Sequence, residues 1–336
     1  MPDLLLDMNI PEPNDSKLNR RFCIAPMMDC SDRHNRYFLR LFSSHILLYT
    51  EMVTSAAIVR GDRDRLLGYN AEEHPVAVQL GGSDPQQLHQ AAQICADYGY
   101  DEINLNCGCP SDRVQSGSFG ACLMADPGLV SECVSALRSA SALPVTVKHR
   151  TGIDQQEDYE TFREFAAIQI EAGIDALIVH ARNAWLQGLS PKQNREIPPL
   201  KYDWVYRLKS DFPDTEIIIN GAIKTLDSAL EHLQHVDGVM LGREPYQNPF
   251  LLEKVDELIF GQTTTAPTRL SVLRQVYPYI EGQLQQGIPL SHIIRHIIGL
   301  YRGEPGARQW RRYLSENGNK KTANMETLYQ AEKLII

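Results

Sequence analysis

The stretch DEINLNCGCPSDRVQSGSFGACLMA, from Asp101 to Ala125, indicates how this chain is built. It begins as a strand-like run with alternating apolar residues and ends that run at Asn106. It then breaks into Cys107-Gly108-Cys109-Pro110 and a long loop rich in Gly and Ser. Polar side chains at the end of a strand, followed by a loop, are typical of a functional site. The alternative is an ordinary Gly/Pro turn with small residues, and the rest of the chain decides between the two.

Seven similar apolar runs accompany this one, and most of them alternate with helical patterns. Asp84-Pro85 is a typical helix start, and Ser31 is the predicted N-cap of a helix that buries Leu41 and Phe42. Apolar strands between helices indicate a parallel sheet, and eight such units predict an α/β protein of the (β/α)8 TIM barrel type. A doubly wound open sheet is the alternative, but no G-x-G-x-x-G follows the first run. The predicted strands are 21–25, 45–52, 75–80, 101–106, 144–149, 175–180, 216–220 and 237–241.

Residues suited to a functional site follow the C-terminal end of the predicted strands. In a barrel these ends converge on one mouth, where barrel enzymes carry out their chemistry. A single histidine at a strand end is usually a satisfied cap, but equivalent positions on many strands indicate a site. Glycines after the last two strands are typical of phosphate-binding loops, which predicts a phosphorylated cofactor. The positions are Met27, Gln79, Asn104, Asn106, Lys148, His180, Asn220 and Arg243.

Composition bounds the class of protein. The 336 residues allow one large domain and a smaller one, and 43% hydrophobic and 22% charged residues are ordinary for a globular protein. No apolar run is long enough to predict a membrane span. Residues 1–20 are interpreted as a loose leader, because acidic residues stand where a signal peptide is basic. The seven cysteines fit no zinc or disulfide pattern, so we expect no metal site and a reducing cytoplasm.

Charge is distributed unevenly along the chain. The net charge is −9, yet the part from Pro267 to the end carries ten Lys/Arg and five Asp/Glu. This part, 267–336, is predicted to be a small helical domain that follows a barrel over 21–262. Arg308 and Arg311 share a helix face because they are three residues apart. One-signed charge of this kind predicts binding of a phosphate backbone, whereas a solvated helix surface is the alternative.

Several long motifs resemble those of the tRNA-dihydrouridine synthases, flavin enzymes that reduce uridine in tRNA. They follow the family's order over nearly the whole chain, which makes the signal specific. The segments at 180–199 and 306–316 are most similar to the subfamily that acts on uridine 20 and its neighbour 20a in the D-loop. The other motifs are APMMDCSDRH (25–34), NLNCGCPSDRVQSGSFGACLM (104–124), VKHRTGID (147–154), INGAIKTL (219–226) and LGREPYQNP (241–249).

The resemblance implies FMN as the cofactor, NADPH as the reductant and tRNA as the substrate. By this resemblance, reduced flavin delivers a hydride to carbon 6 of a flipped uridine, and Cys109 protonates carbon 5. A thiol is mostly protonated at neutral pH, as a proton donor must be. The implied cofactor-binding residues are Pro26, Met27, Met28, Gln79, Lys148, His180, Asn220, Gly221, Ala222, Gly242 and Arg243. The implied tRNA-binding residues are Asn106, Lys192, Arg195, Arg308 and Arg311.

Two departures from the family pattern lead to expectations of their own. Cys30-Ser31 stands where subfamily members often carry an aromatic residue and Thr, and Ala222 stands where a second glycine is common. We expect Ala222 to have an ordinary negative φ, because its implied role is a backbone N–H. The loop from Ser111 to Gly120 is expected to be a lid over the flipped base.

Two other functions remain open from the residues. One is an FMN barrel that reduces or oxidises a free pyrimidine, which leaves the basic helical part without a role. The other is a tRNA-binding module in which the barrel is only a scaffold. We expect a monomer, since one polyanion on one basic domain needs no partner subunit.

Overall fold

The structure, a computed structural model, describes residues 18–156, 158–263 and 265–335. Of the predicted leader over 1–20, residues 1–17 lie outside this described part. No helix among the described residues is long and apolar enough to cross a membrane.

Eight parallel strands close into a barrel, which confirms the predicted fold class. Each strand pairs with the next along the chain, and the last pairs with the first. Predicted and observed bounds agree within two residues at every strand. The strands are β1 (Phe22–Ile24), β2 (Leu47–Thr54), β3 (Val76–Gly81), β4 (Glu102–Cys107), β5 (Val145–Arg150), β6 (Ala176–His180), β7 (Glu216–Asn220) and β8 (Gly238–Leu241).

Alternate residues along a strand face either the helices or the barrel interior, which is apolar at most strands but polar at β4 and β5. Phe22 and Ile24 face the large outer core between the strands and the helices. Cys23 belongs instead to a smaller cluster inside the barrel, together with Leu47 and Tyr49. Successive strand side chains point to opposite faces, and both faces are covered, so most strand residues are buried, although the second half of β2 is only partly buried. This double burial is why the strands appear in the sequence as continuous apolar runs.

Helices connect the strands and cover the barrel. Two of the longer ones, α4 and α6, begin where the sequence places a capping Asp before Pro, at Asp84 and Asp126. They are α1 (Arg33–Arg40), α2 (Ser55–Arg60), α3 (Arg63–Leu67), α4 (Pro85–Asp97), α5 (Asp112–Ser116), α6 (Pro127–Ala140), α7 (Tyr159–Glu171), α8 (Tyr202–Asp211), α9 (Leu226–His232), α10 (Arg243–Gln247) and α11 (Val255–Leu258). Short 3-10 turns lie at Ala71–Glu73, Gly120–Ala125, Gln193–Arg195 and Pro249–Lys254.

The predicted N-cap of α1 was wrong, and the helix is shorter than its predicted buried face. The N-cap is Asp32, whose side chain accepts hydrogen bonds from the backbone N–H groups of His34 and Asn35. Ser31 is buried and turns back instead, accepting from the backbone N–H of Met27 at 2.9 Å. The helix ends at Arg40, so Leu41 is its C-cap and Phe42 lies beyond it, although Phe42 is buried as expected.

A group of helices follows the barrel and packs against it. Trp310, which is fully buried, lies in the core of this group. Asp32 of the barrel accepts hydrogen bonds from Arg295 at 2.5 Å and pairs with His296 at 3.0 Å. The rings of Tyr37 and Tyr279 stack across the same junction with their centroids 3.9 Å apart. The helices are α12 (Arg269–Gln285), α13 (Leu290–Ile297), α14 (Ala307–Asn317) and α15 (Met325–Glu332).

Candidate active site

The closed parallel barrel brings side chains from neighbouring strands to one rim. Asn106 of β4 lies beside Lys148 of β5, and His180 of β6 lies beside Asn220 of β7. The Nζ of Lys148 reaches past β6 and donates to Oδ1 of Asn220 at 3.1 Å. Gln79 of β3 joins the group, since its Oε1 accepts from Nδ2 of Asn106 at 2.8 Å. Five of the predicted site residues therefore lie together around the mouth.

Cys109 is held at this rim by backbone and side-chain contacts. Oδ1 of Asn106 accepts from the backbone N–H groups of Gly108 and Cys109, both at 3.0 Å. Nε of Arg150 donates to the Gly108 carbonyl at 3.0 Å, and the Ala121 N–H donates to the Cys109 carbonyl at 2.9 Å. These bonds fix the peptides on both sides of the cysteine, and its Sγ lies 3.4 Å from the hydroxyl of Ser111.

The two neighbouring thiols differ in their surroundings. Cys109 is partly exposed, whereas Cys107 is fully buried in the outer core. Burial raises the pKa of Cys107 well above the ordinary value for a thiol, and the thiols of Cys133 and Cys122 act in the same direction. Because side chains alternate along β4, Asn106 faces the barrel interior and Cys107 faces the helices. Cys109 is therefore the accessible thiol of the pair.

The loop that follows Cys109 has local structure. The segment 112–116 forms α5, and Phe119 is buried beyond it. Nε2 of Gln115 donates to the carbonyls of Pro110 and Leu186, both at 2.8 Å. This links the cysteine loop to the loop after β6, which carries two of the residues predicted to bind tRNA. The predicted lid over 111–120 therefore rests on a neighbouring loop, and its closing motion stays a prediction.

Burial disfavours positive charge at the mouth. It lowers the pKa of Lys148 to about 7, and the Arg150 guanidinium acts in the same direction. Burial also lowers the pKa of His180 well below its ordinary value, with Arg150 and Lys148 adding to the shift. His180 is therefore neutral at pH 7, and Lys148 gives up its proton far more readily than an ordinary lysine. An anionic or hydrogen-bond-accepting ligand at this position favours the protonated form of Lys148.

The glycines that follow β7 and β8 lie close to neighbouring side chains at the mouth. A Cβ added to Gly242 would lie 3.3 Å from Sδ of Met27, and one added to Gly221 would lie 3.0 Å from Cδ2 of His180. These short distances show how closely the two glycine backbones approach their neighbours. Tyr202 supports the turn by donating from its hydroxyl to the Gly221 carbonyl at 2.5 Å.

The expectation of a negative φ at Ala222 was wrong. Its φ is 54°, directly after Gly221 with a φ of 126°. The chain turns sharply as it leaves β7, and two successive positive φ values make that turn. A left-handed conformation costs a residue with a Cβ roughly 1–2 kcal/mol, so the turn is strained at Ala222. A glycine there would remove the strain.

The remaining predicted residues lie around or outside the rim. Pro26 is partly buried and Met28 is 54% exposed. Arg243 begins α10 and forms an ion pair with Glu196 at 2.6 Å. Lys192 is exposed, and Arg195 is partly buried, with an Nε that has no partner among the described residues. Arg308 and Arg311 are exposed on α14, whose buried face carries Trp310 and Leu314.

Arg150 was not predicted, although the sequence contained a signal for it. It stands two residues after Lys148, so the period of a strand places both on the same face. Its NH1 donates to the carbonyls of Asn183 at 3.4 Å and Asn194 at 3.1 Å, in addition to the bond to Gly108. Among the described residues, no group of His, Cys, Asp and Glu is arranged to hold a metal ion.

Comparisons with known proteins agree on one family. A family model described as dihydrouridine synthase (Dus) matches residues 23–335. A relative from Shewanella oneidensis, named tRNA-dihydrouridine(20/20a) synthase, is 58% identical and covers 96% of each chain. Relatives with the same name from Escherichia coli K12 and Vibrio cholerae are 56% and 55% identical. They cover 97% and 93% of this chain and 94% and 95% of their own length.

A solved structure supports the fold. It is described as a 2-naphthoyl-CoA reductase in complex with 2-naphthoyl-CoA, and it is similar with a TM-score of 0.53 at 12% identity. The likeness covers 70% of this chain and 50% of that chain. At this identity it concerns the architecture alone.

Replacing Lys148 by Met should stabilise the ligand-free protein in a pH-dependent way. The folded-state pKa of Lys148 is lowered to about 7, while the unfolded chain keeps the ordinary value near 10.5. Between these values the unfolded state binds more protons, so the buried lysine costs stability below pH 7 and less as the pH rises. We expect Lys148→Met to raise the Tm at pH 6.5 by about 2–4 °C more than at pH 9.5.

Thermal unfolding at the two pH values measures this difference. Lys254→Met, at an exposed lysine of the turn Pro249–Lys254, serves as the control and should give no such trend. An equal Tm change at both pH values for Lys148→Met would contradict the placement of this ammonium in a desolvating site.

Proposed function

This chain belongs to the dihydrouridine synthase family, and we propose that it reduces uridine in tRNA to 5,6-dihydrouridine with a bound flavin. Positions 20 and 20a of the D-loop follow from the name shared by relatives that are 55% to 58% identical. The observation that carries the proposal is the accessible Cys109, fixed by Asn106 at a mouth that also holds Lys148. A proton donor and a cation at one barrel mouth suit reduction of a planar, electron-poor ring.

The residues at the mouth fit FMN. Lys148 has a hydrogen bond to Asn220, and no carboxylate of the described part of the chain pairs with it. Its ammonium can therefore serve an anionic ring edge. The close backbones at Gly221 and Gly242, with the cationic Arg243 next to them, suit a phosphate. We assign ring and ribityl contacts to Pro26, Met27, Met28, Gln79, Lys148 and His180, and phosphate contacts to Asn220, Gly221, Ala222, Gly242 and Arg243.

Residues of this chain would perform the remaining chemistry. When bound and reduced by NADPH, FMN supplies a hydride to carbon 6 of the uracil ring. Cys109 donates a proton from its Sγ to carbon 5. The thiolate that remains lies within electrostatic range of Lys148 and Arg150, and their positive charge stabilises it. Asn106 uses one N–H on Gln79 and keeps the second for a carbonyl of the flipped base.

The helical region is proposed to hold the tRNA outside the mouth. Arg308 and Arg311 project from the exposed face of α14, while Trp310 anchors the other face in the helical core. Lys192 and Arg195, on the loop after β6, lie nearer to the rim and are assigned to the same tRNA. Cations at these positions would contact phosphates and place one uridine over the barrel.

Replacing Cys109 by Ala should abolish product formation but leave the flavin steps intact. Loss of a general acid slows the proton-dependent step by at least about 100-fold. FMN content and the rate of flavin reduction by NADPH should stay near the wild-type values. Dihydrouridine in tRNA, measured by mass spectrometry, is the readout. Cys107→Ala, at the buried thiol two residues away, is the matched control, and normal turnover in Cys109→Ala would refute the proton-donor role.

Replacing Arg308 and Arg311 together by Ala should weaken tRNA binding and reduce its salt dependence. Each lost phosphate contact lowers the slope of log affinity against log salt by about one. NADPH oxidation without tRNA should be unaffected, because both residues are exposed on α14 and neither is assigned to the flavin site. Lys320→Ala with Lys321→Ala removes the same charge from exposed positions after α14 as a control. If both double variants bind tRNA equally well, α14 is not the binding face.

A further inference from the structure

We propose that Glu102, at the floor of the barrel, is a positioning residue that orients the Cys109 loop through a directed chain of hydrogen bonds. The inference deepens the proposed function and rests on it. Glu102 is the first residue of β4, and Cys109 follows the end of the same strand. Glu102 and Asn106 are four positions apart along β4, which corresponds to a distance of about 13 Å. The chain spans that distance inside the barrel.

The lower end of the chain is a buried carboxylate that can only accept. Oε1 of Glu102 accepts from the hydroxyls of Tyr49 and Thr146, both at 2.6 Å. Oε2 accepts from Nε of Arg20 at 2.5 Å. Glu102 is fully buried, and its guanidinium partner is almost fully buried. Because a carboxylate has no proton to donate, the Thr146 hydroxyl must be the donor in its bond to Glu102.

Each later member of the chain is oriented by the one before it. Since the Thr146 hydroxyl donates to Glu102, its oxygen accepts from Nδ2 of Asn104 at 2.8 Å. Oδ1 of Asn104 then accepts from Nε2 of Gln79 at 2.8 Å. Oε1 of Gln79 accepts in turn from Nδ2 of Asn106 at 2.8 Å. The chain thus settles the direction of three side-chain amides, each of which has one accepting and one donating end.

The upper end of the chain requires the same direction. With its Nδ2 turned to Gln79, Asn106 presents Oδ1 to the backbone N–H groups of Gly108 and Cys109. A reversed amide would set donors against these two N–H groups. Thr146 and Asn104 are fully buried and Gln79 is 1% exposed. Solvent therefore cannot form the hydrogen bonds that a reversed amide would lose. The carboxylate and the cysteine loop therefore select one arrangement cooperatively.

Thr146→Val tests this role because it removes the hydroxyl and nearly keeps the shape of the side chain. Thr146→Ser restores the hydroxyl. Tyr49→Phe is the matched control, since it removes another donor from the same Glu102 oxygen but leaves the path to Cys109 complete. Rapid mixing separates two rates, namely flavin reduction by NADPH and reoxidation of reduced flavin by tRNA. Only the second rate requires the proton from Cys109.

We expect Thr146→Val to slow reoxidation by tRNA about tenfold. This is the rate change expected when the loss of about one hydrogen bond raises the activation free energy of the step. Flavin reduction by NADPH should change less than about threefold, because that step does not use the proton of Cys109. Thr146→Ser and Tyr49→Phe should reoxidise at nearly the wild-type rate. Asn104→Ser, which breaks the chain one link higher, is measured in the same way if Thr146→Val does not retain FMN.

The outcomes separate the two proposals. If wild-type protein does not reoxidise with tRNA at all, the proposed function fails. If wild-type protein is active and Tyr49→Phe is as slow as Thr146→Val, or Ser does not rescue, the role of the carboxylate is only structural. Unchanged reoxidation in Thr146→Val would overturn the positioning role as well.

Discussion

A buried ionic cluster at the barrel floor joins parts of the chain that are far apart in sequence. Arg20 lies just before β1 and reaches Glu102 at 2.5 Å and Glu216 at 2.9 Å, which are the first residues of β4 and β7. Burial by itself lowers the pKa of Arg20, but the two carboxylates outweigh it and raise that pKa, so the guanidinium stays charged. Removing one partner from such a cluster typically costs about 3–5 kcal/mol. The cluster therefore ties the segment before β1 to the start of β4 and the start of β7.

Closure of the barrel brings residues that are far apart in the sequence together at one site. Because all strands run in parallel, their C-terminal ends meet at one rim, where burial changes the chemistry of each side chain. There Lys148 has a pKa near 7, and His180 is neutral. Cys109 lies just outside this desolvated zone and keeps access to the mouth. The ionic cluster at the floor and the side chains at the rim are connected by the hydrogen-bonded amides of Asn104, Gln79 and Asn106.

Much of this could be predicted from the sequence because the signals are local. Apolar runs, Asp-Pro helix starts and strand-end polar residues required no knowledge of contacts. The wrong predictions concern residues whose conformation is determined by tertiary contacts or by the geometry of a turn. Ser31 and Asp32 both suit an N-cap, and the bond of Ser31 to Met27 leaves the cap to Asp32. The φ of Ala222 follows from the turn after β7, and the role of Thr146 depends on Glu102 across the barrel interior.

The most direct measurement maps dihydrouridine by mass spectrometry in tRNA from cells that lack this protein. We predict that unmodified uridine appears at positions 20 and 20a of the D-loop, while dihydrouridine at other positions is retained. Reintroducing the intact protein should restore both modifications. Unchanged dihydrouridine at 20 and 20a in the deletion strain would contradict the assignment of this barrel to tRNA reduction at those positions.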